Sequence, residues 1–210
     1  MKFLCIHGNG TNSNVMELQI APLRHELEDH DGGHEYEFVE AIWEAPMAEG
    51  IEGISSKDRS FYSFYNPKDL TTLRQSLHLL DHYVATGGPF DAVMGFSAGA
   101  VLAALYLAEK QQQCGALPFK CGVFLSSAVS AAEISYLGME AQAITIQLPT
   151  AHIWGSNDLV APSGGEDISR LFDPALRQTL VHDGGHELPR RHYLTEAGHV
   201  IRRTMQLAST

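Results

Sequence analysis

Apolar positions along the chain fall into two kinds of stretch that take turns. Short, nearly continuous apolar runs end in glycine-rich or polar turns, and longer stretches place apolar residues three and four apart. Lys2 to Ile6 is the first run, bounded by His7-Gly8-Asn9-Gly10, the pattern of a buried strand. Val15, Leu18, Leu23 and Leu27 share a spacing that predicts one helix from Val15 to Leu27, capped by Ser13 or Asn14. A polar break from Asp29 to His34 follows, and Tyr36 to Trp43 reads as a second strand. Thr71 to Val84 is an amphipathic helix with Thr71 or Thr72 as cap, ended by Gly87-Gly88-Pro89. Asp91 to Phe96 is a strand, and an Ala- and Leu-rich helix runs from it to roughly Gln113. Further strands are predicted at Phe119 to Ser127, Pro149 to Trp154 and Gln178 to Val181, with helices at Ser163 to Phe172 and Arg190 to Gln206.

Strands that alternate with helices imply the α/β class, with a mostly parallel sheet of about six strands covered on both faces. No linker divides the 210 residues, so residues 1–210 are expected to form one domain. Residues 45–70 are the least regular part and read as a loop or lid within it. They hold Pro46, Gly50, Gly53, Pro67 and the aromatic cluster Phe61-Tyr62-Ser63-Phe64-Tyr65. Two readings of that cluster stand side by side: it lines a pocket, or it forms a small satellite core beneath the loop.

Composition narrows the class. Fourteen basic against 25 acidic residues give a net charge of −11, which argues against nucleic acid or an anionic membrane as partner. No stretch approaches the length of a membrane span, and the apolar run at Met1 to Ile6 is too short for a signal peptide. The odd set Cys5, Cys114 and Cys121, two of them in or beside apolar runs, suits buried thiols and a cytoplasmic location. A Cys114–Cys121 disulfide stays open.

The chemistry centres on Gly95-Phe96-Ser97-Ala98-Gly99. A strand, G-x-S-x-G and a helix in succession form the context of a nucleophile elbow, where small neighbours let a strained turn close around the serine. An activated serine needs a base, and the base needs a third group to orient it. Asp158 follows the strand at 149–154 and His186 follows the strand at 178–181, giving the order Ser, Asp, His of α/β-hydrolases. Asp183 and Asp167 are alternative acids. His182 lies four residues before His186, but no coherent set of further ligands supports a metal site. His192 and His199 fall on the last predicted helix as surface residues. The backbone amides of Asn9 and Ala98 are placed to hold an oxyanion. The turn at His7 to Gly10 matches no phosphate loop, so neither metal nor organic cofactor is expected.

With Leu4-Cys5-Ile6-His7-Gly8, the aromatic segment Phe61 to Pro67, the elbow, Trp154-Gly155-Ser156-Asn157-Asp158 and His182-Asp183-Gly184-Gly185-His186, nearly the whole chain resembles the FSH-type "family of serine hydrolases". This family is a compact branch of the α/β-hydrolases. The resemblance implies a Ser97/Asp158/His186 triad acting on carboxylic esters or thioesters, as in polyketide-associated fungal members. Ser56-Lys57-Asp58-Arg59 stands where members often carry a Gly-Pro or Pro-rich lead, which leaves the lid's shape open. Phe61, Tyr62, Phe64, Tyr65, Leu159 and Leu188 are the candidate acyl-pocket residues. The expected partner is a small acyl ester or thioester, bound to a carrier protein if Arg190-Arg191 and Arg202-Arg203 form a basic patch. Oligomeric state is not legible. An acyltransferase on the same triad, or a ligand-binding protein on a hydrolase fold, are the rival readings.

Overall fold

The computed structural model describes residues 1–55, 59–113, 115–136, 145–190 and 192–209. In chain order the elements are β1 (Lys2–Ile6), α1 (Ser13–Gln19), α2 (Ala21–Asp31), β2 (Glu35–Val39), β3 (Trp43–Ala45), β4 (Phe61–Ser63), α3 (Thr71–Gly87) and β5 (Ala92–Phe96). They continue with α4 (Ala98–Gln113), β6 (Cys121–Leu125), α5 (Ala131–Tyr136), β7 (Thr150–Gly155), α6 (Gly164–Ser169), β8 (Arg177–His182) and α7 (His192–Leu207). Six strands form one sheet in the order β2-β1-β5-β6-β7-β8, and every neighbouring pair is parallel.

The period of two along each strand divides the core between the two faces. Leu4, Ile6, Val93 and Phe124 face the buried residues of α3 and α4. Phe3, Cys5, Met94, Val123 and Ile153 face α1, α2 and α7. Helix α7 shows how the pattern works: Ala197, Ile201 and Met205, spaced by four, form its buried stripe. Cys5 and Cys121 are buried free thiols, and burial pushes the Cys121 thiol up to about 12. Cys114 lies outside the described residues.

Three local expectations give way to tertiary detail. The single helix at 15–27 is two, because Pro22 opens α2 at its first turn and the chain bends at Ile20. The cap is Asn12, whose Oδ1 accepts the Val15 amide at 2.9 Å. The strand expected to reach Trp43 stops at Val39, since its partner β1 ends at Ile6. Trp43–Ala45 pairs instead with Phe61–Ser63 in a separate antiparallel ribbon. The short helix α5 carries no periodic signal of its own.

His152 on β7 is fully buried, stacked on Phe124 at 4.8 Å and tilted against Phe172 at 5.0 Å. Burial, with a smaller contribution from the Arg177 charge, pushes its pKa from 6.5 down to about 3. Between those values the unfolded chain holds a proton that the folded protein excludes. This contribution is therefore complete above pH 6.5 and is lost as pH falls, by up to about 1.4 kcal/mol per pH unit. Urea unfolding of wild type and His152→Phe at neutral and acid pH should show the wild type losing more stability on acidification. Equal losses would contradict this.

Candidate active site

Strand β5 delivers Ser97 into the left-handed region, with φ 54°, where a non-glycine residue is strained. The turn is held on both sides. The Ser97 amide donates to the Leu125 carbonyl at 2.9 Å, and the Ser97 carbonyl accepts from Ala100 and Val101 as α4 begins. The flanking glycines are required by close approach. A Cβ on Gly95 would lie 2.5 Å from Ala100 Cα, and one on Gly99 would lie 2.3 Å from the Ile6 carbonyl oxygen. The serine is thus raised at the C-terminal edge of the sheet, where open α/β folds bind ligands.

Two other strand ends bring their groups to it. Ser97 Oγ lies 2.8 Å from His186 Nε2, and His186 Nδ1 lies 2.7 Å from Asp158 Oδ2. The other carboxylate oxygen, Oδ1, accepts the amides of Val160 and Ala161, each at 2.9 Å. Both oxygens of the buried Asp158 are therefore engaged, and the Nδ1 proton of His186 points at the acid. In the neutral imidazole that tautomer turns the Nε2 lone pair toward the hydroxyl. Phe96 packs its ring against His186 at 5.5 Å. Asn9 and Ser97 line the same cavity. Among the described residues neither the Asn9 nor the Ala98 amide has a hydrogen-bond acceptor.

The loops carrying the acid and the base are tied to each other by residues to which sequence reasoning gave no role. Asn157 donates from Nδ2 to the Asp183 carbonyl at 2.7 Å and from its amide to the Gly184 carbonyl at 3.0 Å. Gly155 lies so close that a Cβ would sit 2.2 Å from the Gly184 oxygen. Ser126 donates to the Glu187 carbonyl at 2.9 Å, and the Nδ1 atom of buried His182 accepts the Gly184 amide at 3.1 Å. Burial holds the His182 imidazole below its usual range. Asn157, directly before the acid, carries the one side chain that the sequence pattern could have flagged.

The alternative groups are placed elsewhere. Asp183 meets the site through its backbone carbonyl. Asp167 on α6 accepts from Ser163 at 2.6 Å and faces Arg170. His199 is exposed, and the His192 side chain lies outside the described residues. Of the proposed basic patch, Arg190 pairs with Glu187 at 3.0 Å and Arg202 with Glu26 at 3.3 Å. Arg191 lies outside the described residues.

A cavity of about 650 Å³ opens beside Ser97 and His186, within the size range of small-molecule sites. Of the six candidate pocket residues only Leu188 lines it. Phe61 packs in a satellite core with Val15 and Ile51, while Phe64 and Tyr65 are buried in the main core with Tyr62 against them. Leu159 is 91% exposed. For Tyr65 the reason is a buried polar anchor. Tyr65 donates its hydroxyl to Glu133 Oε1 at 2.7 Å, and Ser130 donates to Oε2 from its amide and hydroxyl at 2.6 and 2.5 Å. Burial and the adjacent carboxylate keep the Tyr65 phenol protonated. Tyr65→Phe leaves Glu133 one donor short and should cost about 1–3 kcal/mol of stability, with kcat/KM changed by less than about threefold. A Tm series alongside ester kinetics checks this. Lost activity at full stability would return the aromatic segment to the pocket.

A parallel sheet with helices on both faces and a serine raised on an elbow between β5 and α4 defines an α/β-hydrolase. The chain belongs to the FSH1 family of serine hydrolases, whose model matches residues 1–197, and is an enzyme of that family. It is 38% identical to Esterase FPY3 of Fusarium mangiferae over 198 residues, covering 90% of this chain and 89% of that protein. It is 27% identical to Esterase OVCA2 of Danio rerio, covering 90% of each. A carboxylesterase structure from Mesorhizobium loti superposes with a TM-score of 0.64 over 98% of this chain and 88% of that one, at 10% identity. That likeness is one of fold. No described helix is long and apolar enough to cross a membrane.

Proposed function

We propose that the protein is a serine esterase that cleaves small carboxylic esters through an acyl-enzyme on Ser97. The observation that supports this most is the unbroken line from Ser97 Oγ to His186 to Asp158, with links of 2.8 and 2.7 Å. As Oγ attacks the acyl carbonyl, Nε2 takes its proton. Asp158 stabilises the imidazolium that forms, and the Asn9 and Ala98 amides face the oxyanion. His186 then returns the proton to the leaving oxygen. A water molecule, deprotonated by the same nitrogen, releases the acid and frees Ser97.

Thioesters fall within the same reading, because attack is on the acyl carbonyl whatever the leaving atom. The reading takes the chain as one domain, with Ala48 to Ile54 bordering the site. It places the enzyme in the cytoplasm, where the free thiols Cys5 and Cys121 stay reduced. A series of aryl esters and matched thioesters, followed with and without an added alcohol acceptor, tests it. Free acid as the main product supports hydrolysis. A dominant new ester would make the protein an acyltransferase, and no turnover by folded protein would favour a ligand-binding role.

A further inference from the structure

Beside the β1 turn and Phe96, the cavity next to Ser97 takes aliphatic walls from three separate parts of the chain. Leu18 and Leu23 come from the α1–α2 bend, Ile51 and Ile54 from the segment after β3, and Leu188 and Leu194 from the β8–α7 connection and the first turns of α7. These side chains are aliphatic. Leu23 and Ile51 are buried, whereas Leu18 and Ile54 are 57% and 42% exposed and stand toward the solvent side. Charge is confined to a few lining groups. Arg190 pairs with Glu187 at 3.0 Å, and Glu49 is exposed. Among the described residues no unpaired cation lines the cavity.

We propose that this cavity seats the acyl chain of an uncharged aliphatic ester, that Leu18 and Ile54 set the chain length accepted, and that Glu49 turns away chains ending in a carboxylate. The inference rests on the Ser97 reading given above. In that reaction the acyl group stays on Ser97 through two chemical steps, while the leaving group departs and water takes its place. A walled apolar cavity suits the group that stays. Its volume of about 650 Å³ gives an acyl chain room well beyond acetyl. Each methylene that enters transfers apolar surface from water, and the aliphatic walls provide that transfer. Among the charged side chains of the lining an anionic tail meets the carboxylates of Glu49 and Glu187 and a guanidinium that is already engaged, which leaves the neutral Asn9, Thr11 and Gln19 to offset its desolvation. The same argument disfavours substrates carried on an acidic partner, because the net charge of −11 repels it.

The test compares p-nitrophenyl esters from acetate to decanoate, together with the p-nitrophenyl half-ester of suberic acid. The proteins are wild type, Leu18→Trp, Ile54→Trp and Glu49→Lys, each also labelled with a fluorophosphonate. For the wild type, kcat/KM should rise about fourfold per methylene until the chain reaches Leu18 and Ile54, and the half-ester should lag its uncharged counterpart. Either tryptophan should lower the ratio of long-chain to short-chain kcat/KM by about tenfold or more. Glu49→Lys should raise the rate on the half-ester relative to the neutral ester by about threefold. A flat chain-length profile, or tryptophan variants with an unaltered ratio, on protein that labels at Ser97 overturns this inference and leaves the nucleophile standing. A half-ester that outperforms the neutral ester overturns the role given to Glu49. Folded wild type that fails to label overturns the Ser97 reading and this inference with it.

Discussion

Ser97→Ala lowers kcat/KM on any ester substrate by about three orders of magnitude or more, with the fold intact. The substitution removes a hydroxyl whose hydrogen bond runs to His186 at 2.8 Å. The elbow's backbone bonds, to the Leu125 carbonyl and from Ala100 and Val101, are untouched. Alanine takes up the same φ of 54° with no larger a side chain, so Tm should change little. The Asn9 and Ala98 amides proposed as oxyanion donors persist with the cavity, and in that reading they still polarise a bound ester for direct attack by water. That residual path explains why activity falls steeply without reaching the uncatalysed rate. Purified variant and wild type compared at saturating and limiting substrate, beside a thermal melt, give the measurement. Near-normal turnover by the variant would remove Ser97 from the mechanism.

Asp158→Asn is expected to cost about four orders of magnitude in kcat, and the structure gives the reason. Oδ1 accepts two amides, from Val160 and Ala161, each at 2.9 Å. An asparagine therefore keeps its carbonyl oxygen on that side, because its NH2 group would oppose two N–H donors. The NH2 then faces His186 Nδ1, where Oδ2 now accepts at 2.7 Å. A donor there forces the imidazole into the other tautomer, with Nδ1 accepting and Nε2 carrying the proton. Nε2 then points an N–H at Ser97 and cannot take the serine's proton. Binding contacts are unchanged, so the loss should fall on kcat, with KM altered little. A drop of less than tenfold would mean that His186 is oriented by something other than Asp158.

Most of the scaffold was legible because its signals are local. β1, β5, β6 and β7 are short, largely apolar runs closed by a turn, Ser97 and Asp158 sit just past two such ends, and His186 lies past the end of the more polar β8. The bend at Ile20 was also written locally, in Pro22, but the spacing of Val15, Leu18, Leu23 and Leu27 runs straight across it. The aromatic segment was harder. Phe61 to Tyr65 lies in an irregular stretch, where aromatics are as easily read as pocket walls as core. What decides the matter is the bond from Tyr65 to Glu133, 68 residues away, and no local pattern encodes it. Leu188 apart, the cavity walls were illegible for the same reason. Leu18, Ile54 and Leu194 are ordinary aliphatic residues that acquire a shared surface only when three distant segments meet. The Asn157 clamp belongs with them, since its partner is a backbone carbonyl on another loop.

Every step proposed for this site requires an activated serine at the elbow. Intact-mass measurement after exposure to a fluorophosphonate, on wild type and Ser97→Ala side by side, tests it most directly. One adduct on the wild type and none on the variant is the predicted result. No adduct on folded wild type, or the same adduct on both proteins, would contradict it.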